Sequence, residues 1–542
     1  MLPVVACPAP TEREPHPMFH APGLARLPAA LALLLSLGGA VQAQDLRIAM
    51  KAAVDGADPH QLFTPNRNVQ LHVYEALVAQ DAKLRPTPGL AESWRATDPT
   101  TWEFRLREGV LFQDGTPLTA EDAAFSIRRA QTAEGVRTFR AYVKDITAVE
   151  VVDARTLRIR TDGPQPELPA NLATIAIVSA RAVEGASAED FNGGRAAIGT
   201  GPYRWLRWTP GQDVVLERNP RYRGEAPPWS RVTFRFVPND SARTAALLAG
   251  DVDVADAVPA GLHQRVRESD NAHLQTGTSL FMLYMTVDRR PTSPFVRDKE
   301  GRPMTVNPFN DARVRQAFTH AINRPALAER AMEGAAEPAG QFMPDGFDGH
   351  DPGLKPVAYD PALSRRLLRE AGYPEGFNYT IHCLNDRFTG DVRTCQAVGQ
   401  MLTAAGIRTQ VEAMPSAMFF KRATGPEPEF SSYMAIFGSA AGLASNALNV
   451  LAQRWDPKAG TGRSNSGRYD NPALNALIEK AAATLDEDAR QDLLRQATRI
   501  AVEDQAVLPI FFLKGAWGLR NGLAMQTRGD MYTMATAITP AR

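Results

Sequence analysis

The chain has 542 residues, 44% hydrophobic and 22% charged, with 60 basic and 60 acidic side chains. That length exceeds one ordinary core, so two or more domains are expected. A formal net charge of zero leaves no overall attraction to nucleic acid or to an anionic membrane surface, which argues against both as partners.

The first 43 residues differ from the rest. Arg26 precedes an apolar run over residues 27–37, and Val41, Gln42 and Ala43 include the small residues of a cleavage site. Residues 1–43 therefore read as a secretory signal peptide cut near Ala43, with Met1 or Met18 as the start. The run is too short to span a bilayer, and no later stretch reads as a transmembrane helix. Export places the remainder in an oxidising compartment, the periplasm. Cys7 leaves with the signal; Cys383 and Cys395 stay, flanking a short loop and the start of a helix. A disulfide between them is favoured, worth about 3 kcal/mol in loop entropy. The alternative is a catalytic cysteine, for which His382 is the one neighbouring histidine.

A strand is expected at residues 45–50. Residues 62–68, with Phe63, Thr64, Pro65 and Asn66, read as a loop. Trp102, Phe104 and Leu106 alternate with Glu103, Arg105 and Arg107, the period of a half-buried strand. Asp114-Gly115 makes a turn, and Thr119 with Asp122 forms a capping box opening a helix. Residues 149–160 read as a hairpin about Asp153-Ala154, and residues 167–177 as a helix. Gly199-Thr200-Gly201 fails the G-x-G-x-x-G test, because position 204 is Arg and no helix follows, so a nucleotide loop is excluded. Val232, Phe234 and Phe236 mark a strand, Asp240-Ser241 caps a helix ending at Gly250, and strands are expected from Asp251 and over residues 278–288. Helices follow from Asp311, Asp360-Pro361, Asn471-Pro472 and Glu487, one more ends at Gly406, and a strand covers residues 508–513. Strand and helix alternate, the α/β pattern. The arginines at 313–324 read as solvated faces and structural ion pairs. The acidic loop 345–351 lacks calcium-loop spacing, and His60 is a turn residue, so no metal site is expected.

Several of these words go together. "LAESW" from Leu90, "WEFRLREGVLFQDGTPLTAED" from Trp102, "GTGPY" from Gly199, "VVLERNPRY" from Val214 and "PFNDARVRQAF" from Pro308 strongly resemble the signature of the family-5 extracellular solute-binding proteins. These are the dipeptide, oligopeptide and nickel receptors of ABC importers. The resemblance implies a two-lobed periplasmic binding protein fold of the large type II class, with mixed sheets and a ligand cleft at the hinge. Lobe one then maps to 44–77, 198–277 and 508–542, its extra subdomain to 78–197, and lobe two to 278–507. It implies a monomer that captures a peptide or peptide-like ligand by hinge closure and passes it to permease and ATPase subunits. It implies no cofactor, no chemistry on the ligand, and no membrane insertion after signal cleavage. A receptor for another organic acid, or one used for sensing, is the alternative. An enzyme is disfavoured by the lack of a nucleophile–base set or an H-E-x-x-H motif.

The resemblance also implies ligand residues. The loop holding Phe63, Thr64 and Asn66 would face the cleft. Arg387 falls near the place of an arginine that holds a peptide carboxylate, a role suited to a bidentate guanidinium; the alternative is a surface pairing with Asp386 or Asp391. In relatives an aspartate after a Gly-Trp pair holds the peptide amine. Here Gly438 is followed by Ser439, no acid occurs between Glu429 and Asp456, and Asn446 is the nearest polar substitute. A buried ammonium without a counter-charge is costly. The expectation is a ligand with a free carboxylate and a blocked, absent or exposed amine, unless another cleft acid serves.

Overall fold

The structure, a computed structural model, describes residues 45–61, 64–134 and 138–541. The signal-peptide reading of residues 1–43 lies outside them, as does Phe63. The fold is mixed α/β, built on a 12-stranded sheet. Two long strands form its central ribbon. Ala272–Thr286 and Val507–Arg520 run antiparallel, from Ala272 opposite Arg520 to Thr286 opposite Val507. Sequence reading found only the apolar part of each. The rest of the ribbon carries His273, Gln275, Lys514 and glycines, so an apolar run does not mark it.

The remaining strands attach at opposite ends of this ribbon. At one end Val254–Ala255 pairs with Leu519 and Gly518, and the sheet continues through Asp45–Met50, Arg231–Phe236, Asp213–Arg218 and Tyr203–Thr209. At the other end Tyr433–Phe437 pairs with residues 282–285, and Asn378–Leu384 and Arg408–Met414 follow. The first wing closes over Ile48, Tyr203, Trp229 and Phe234. The second closes over Phe309, Phe318, Phe377 and Tyr379, with a neighbouring core around Leu448 and Leu494. Two cores on one ribbon make the two-lobed arrangement, because a ribbon of two strands bends more readily than a packed sheet.

A separate four-stranded antiparallel sheet runs in the order Ala91–Asp98, Thr101–Leu106, Thr156–Thr161, Ile146–Asp153. Helix Ala120–Thr132 covers it and has the Thr119–Asp122 capping box. Trp102, Phe104, Ile127 and Leu157 form its core. Burying a side chain such as Phe104 stabilises by roughly 1.5–3 kcal/mol.

Helix ends follow local chemistry. The side chains of Asp311, Asp360, Asn471 and Asp486 accept backbone N–H groups at the starts. Gly250, Gly372 and Gly406 carry positive φ beyond the ends. Three local expectations change. Residues 64–73 form a helix, Thr64–Val73, because Pro65 suits a first helical turn. The expected helix at 167–177 shortens to Leu168–Leu172. Asn239, not Asp240, caps the helix Asp240–Leu248; Asp240 instead accepts from Arg243 at 2.6 Å. The arginines at 313–324 are tied internally: Arg315 to Asp504 at 2.9 Å, and Arg324 to the Pro509 carbonyl at 2.8 Å. Among the described residues no helix is long and apolar enough to cross a membrane.

Candidate ligand-binding cleft

The ribbon is unusual at its middle. Gly277 and Gly515 face each other across it, and a register shift follows between Thr278 and Met282. A Cβ at Gly515 would collide with the ring of Trp517, and one at Gly277 with Thr527. The missing side chains let Trp517 lie across the strand. Beside this crossing is a cavity of about 300 Å³. Phe281, Trp517, Met332 and Phe388 make its apolar surface, and charged groups enter from both wings and from the ribbon.

The first wing contributes two carboxylates. Asp256 accepts the Lys51 backbone N–H at 2.7 Å and faces the Arg243 guanidinium at 3.5 Å. The Arg243 side chain has no exposed surface. It donates to the carbonyls of Val237, Asp256 and Ala257 at 2.8–2.9 Å. This framework holds Ala257 at φ +45°, a region that costs a non-glycine residue on the order of 1 kcal/mol or more. Burial pushes the Asp256 carboxyl from 3.8 up to about 6, against the opposing pull of Arg243. The second carboxylate, Asp530, is matched already. Arg528 donates to both its oxygens, at 3.1 and 2.7 Å, and the Tyr532 N–H adds a bond of 3.1 Å. Met531 between them has φ +61°, so it too is strained.

The second wing presents a helix start. Phe388 and Thr389 lead into Asp391–Ala404 through Gly390, at φ +94°. Arg393, in the first turn, lines the cavity while donating to the Ala331 carbonyl and to Glu333, each at 2.6 Å. Glu333 itself sits at φ +52°. Cys395 of the same helix is bonded to Cys383 of Asn378–Leu384, with Cα atoms 6.5 Å apart, inside the usual range. The bond fixes the helix start to the sheet, and so fixes Arg393. Backbone strain concentrates where function needs it; here Ala257 and Met531 line one cavity, and Glu333 follows Met332 of its lining.

The sequence-predicted residues fall in different places. Asn66 is buried on the helix Thr64–Val73, and both ends of its amide bond Asp55, at 2.9 and 2.7 Å. Thr64 opens that helix. Asn68, two residues on, reaches the cavity. Arg387 is exposed, one residue before Phe388 of the lining; its backbone N–H bonds Asp391 at 3.0 Å. Gly438 packs against Phe281 and Leu280, where a Cβ would not fit. Asn446 is half-buried on helix Ala444–Leu451. The stretch between them meets the small four-stranded unit and its neighbours. Gln80 donates to the Ala440 carbonyl at 3.3 Å, Ser445 donates to Glu167 at 2.7 Å, and Gly442 lies on Leu84. His382 is buried beneath Phe430, ring centroids 3.9 Å apart, and does not line the cavity.

Sequence reading missed Asp256, Lys514, Trp517 and Asp530. One signal was available: Asp256 follows the short strand after Gly250. The other three lie in stretches with no residue pattern pointing to a cleft. Among the described residues no cluster of His, Cys, Asp or Glu is arranged to hold a metal ion. The cavity is a largely apolar recess with a few convergent charges of both signs, the usual build of a small-ligand site.

Comparison with known proteins follows the same line. The family model for bacterial extracellular solute-binding proteins, family 5 middle region, matches residues 85–457. The chain is 28% identical over 502 residues to the glutathione-binding protein GsiB of Escherichia coli (strain K12), spanning 91% of this chain and 93% of that one. Among solved structures, HbpA2 from Haemophilus parasuis aligns with a TM-score of 0.80 at 23% identity, covering 92% of this chain and 100% of that one. The periplasmic murein tripeptide binding protein MppA, in its unliganded open form, aligns with a TM-score of 0.78 at 22% identity, covering 92% and 98%.

Proposed function

Because the chain belongs to the bacterial extracellular solute-binding proteins of family 5, which are binding proteins and not enzymes, we propose that it captures a small peptide or peptide-like ligand between its lobes and delivers it to an ABC permease and its ATPase. The observation that carries this reading is the cavity at the ribbon crossing, walled by both wings. We assign lobe one to 44–77, 198–277 and 508–542, with 78–197 as its extra subdomain, and lobe two to 278–507. Export through the signal at 1–43 places the mature protein in the periplasm.

A ligand that touches both walls favours the closed form by its differential affinity. Taking a 1:99 equilibrium to 99:1 requires about 5.5 kcal/mol of that difference. Several charged contacts and a desolvated apolar surface supply energies of this order. The volume, about 300 Å³, is at the small end of ligand pockets, about 300–1,000 Å³. A di- or tripeptide is favoured over a longer chain, and the likeness to a glutathione-binding protein supports the same size. The expectation of a blocked amine rested on a missing acid in the 438–446 stretch. Asp256 enters the cavity from the other wing, so an ammonium has a partner there. Arg387 stands at the rim of lobe two, one residue from Phe388 of the lining, and is one candidate partner for a ligand carboxylate.

A thermal-shift screen of the mature protein tests the class. It covers di- and tripeptides, glutathione, amino-acid derivatives, organic acids and metal ions. A hundredfold excess over Kd stabilises by about 2.7 kcal/mol. Hits from peptides alone fit the reading; hits confined to metal ions or organic acids contradict it. Arg387 is tested by titrating a peptide and its C-terminal amide into wild type and Arg387→Ala. Equal binding of acid and amide by wild type removes the carboxylate anchor.

A further inference from the structure

Most charged side chains around the cavity are tied to one another, and Lys514 is not. Lys51 pairs with Asp240 at 3.4 Å, Arg243 with Asp240 and Asp256, Arg393 with Glu333, and Arg528 with Asp530. Those four cations meet four carboxylates. Lys514 is the fifth cation, and it has no carboxylate partner among the described residues. Glu337, on the adjoining strand, accepts from the Thr278 hydroxyl at 2.5 Å and makes no ion pair with Lys514.

Lys514 is half-buried on the ribbon, between Leu513 and Gly515 of the lining. Its backbone is fixed on two sides: it lies opposite Thr278, and its N–H donates to the Ala335 carbonyl at 3.0 Å. The side chain therefore starts from a fixed point on the ribbon that joins the wings. A partly buried ammonium without a counter-ion is unfavourable in the empty protein, and a ligand carboxylate removes that cost. Selection by charge follows, because a neutral ligand end leaves the ammonium unmatched.

We propose that Lys514, which forms no ion pair among the described residues, anchors a ligand carboxylate. A peptide bound in this way would bring its ammonium to Asp256, which lines the same cavity. The inference rests on the small-peptide reading for the ligand class, but not for the lysine's role. Calorimetry separates the two. Wild type, Lys514→Met, Lys514→Arg and Arg387→Ala are titrated with glutathione, with glutathione amidated at its glycine carboxylate, and with succinate and glutarate as non-peptide dianions. Circular dichroism and the ligand-free melting temperature check each fold.

The expected result is tenfold or greater preference of wild type for glutathione over its amide. That preference is lost in Lys514→Met and kept in Lys514→Arg. Arg387→Ala retains it if Lys514 holds the carboxylate. Should the peptides fail while succinate or glutarate binds and loses tenfold or more in Lys514→Met, the lysine's role stands and the peptide reading falls. Equal binding of acid and amide by wild type overturns the proposal. So does acid binding unchanged in Lys514→Met, or no binding by either class of probe.

Discussion

Asp256→Asn separates stability from function at a single atom. Asparagine keeps the shape of a protonated aspartic acid and can still accept the Lys51 N–H, now 2.7 Å away. The folded carboxyl titrates near 6, against 3.8 ordinarily. A group whose folded pKa is raised holds its proton more tightly in the folded state. Its contribution is intact below about 3.8 and is lost as the pH rises through 6. Above that, ionised Asp256 costs the empty protein up to about 3 kcal/mol, from roughly 1.4 kcal/mol per pKa unit. The Asp256 side chain is 15% exposed, so little of this is screened away. Asp256→Asn should thus stabilise the ligand-free protein by about 1–3 kcal/mol at pH 8 and by almost nothing at pH 4. Arg243 keeps Asp240 and its three carbonyl acceptors, so it is not stranded. Urea denaturation at the two pH values, read as a midpoint shift at unchanged slope, gives the answer. The same variant should bind an ammonium-bearing peptide at least tenfold more weakly. A variant less stable at pH 8, or one with the same gain at both pH values, refutes the reasoning.

Gly515→Ala places a methyl group against the Trp517 ring. Overpacking of this kind costs about 1–3 kcal/mol, and the displaced indole should change the tryptophan fluorescence and abolish peptide binding; binding at wild-type affinity would show that the glycine is not shaping the cavity. The Cys383–Cys395 bond closes a sequence separation of 12, worth about 3 kcal/mol of chain entropy. Cys383→Ser with Cys395→Ser should lose that much and should weaken ligand binding by loosening the Arg393 helix. Alkylation of two thiols in the unreduced protein, seen by intact mass, would show that the bond is absent. Glu167→Gln removes a carboxyl that burial raises above its ordinary range while keeping an acceptor for Ser445. Its stabilising effect should grow with pH in differential scanning calorimetry, and a pH-independent effect would exclude the buried charge as its cause.

Much of the fold was legible because it is local. Alternation at Trp102 and Phe104, the cap at Asp311, and the Gly406 stop each depend on neighbours in sequence. The long ribbon was only half legible, since Lys514, Gly515 and Gly277 are placed by the opposite strand and the cavity, not by apolar patterning. The site was less legible still. Asp256 is held by Arg243 through backbone carbonyls, and its neighbour Ala257 takes a strained conformation that no residue type announces. The likeness to a known family drew attention to 438–446, yet in the structure that stretch meets Gln80, Leu84 and Glu167. The cavity instead takes its acids from residues far apart in sequence, Asp256 and Asp530, and only the topology brings them together.

The central claim is that ligand is held between the two wings, at the ribbon crossing. Hydrogen exchange with mass spectrometry, with and without a peptide found in the thermal screen, tests it most directly. Added protection is expected in three separated stretches at once: around residues 256–260, around 388–396, and across 513–517. Protection confined to one wing, or centred on 438–446 with these stretches unchanged, would contradict it.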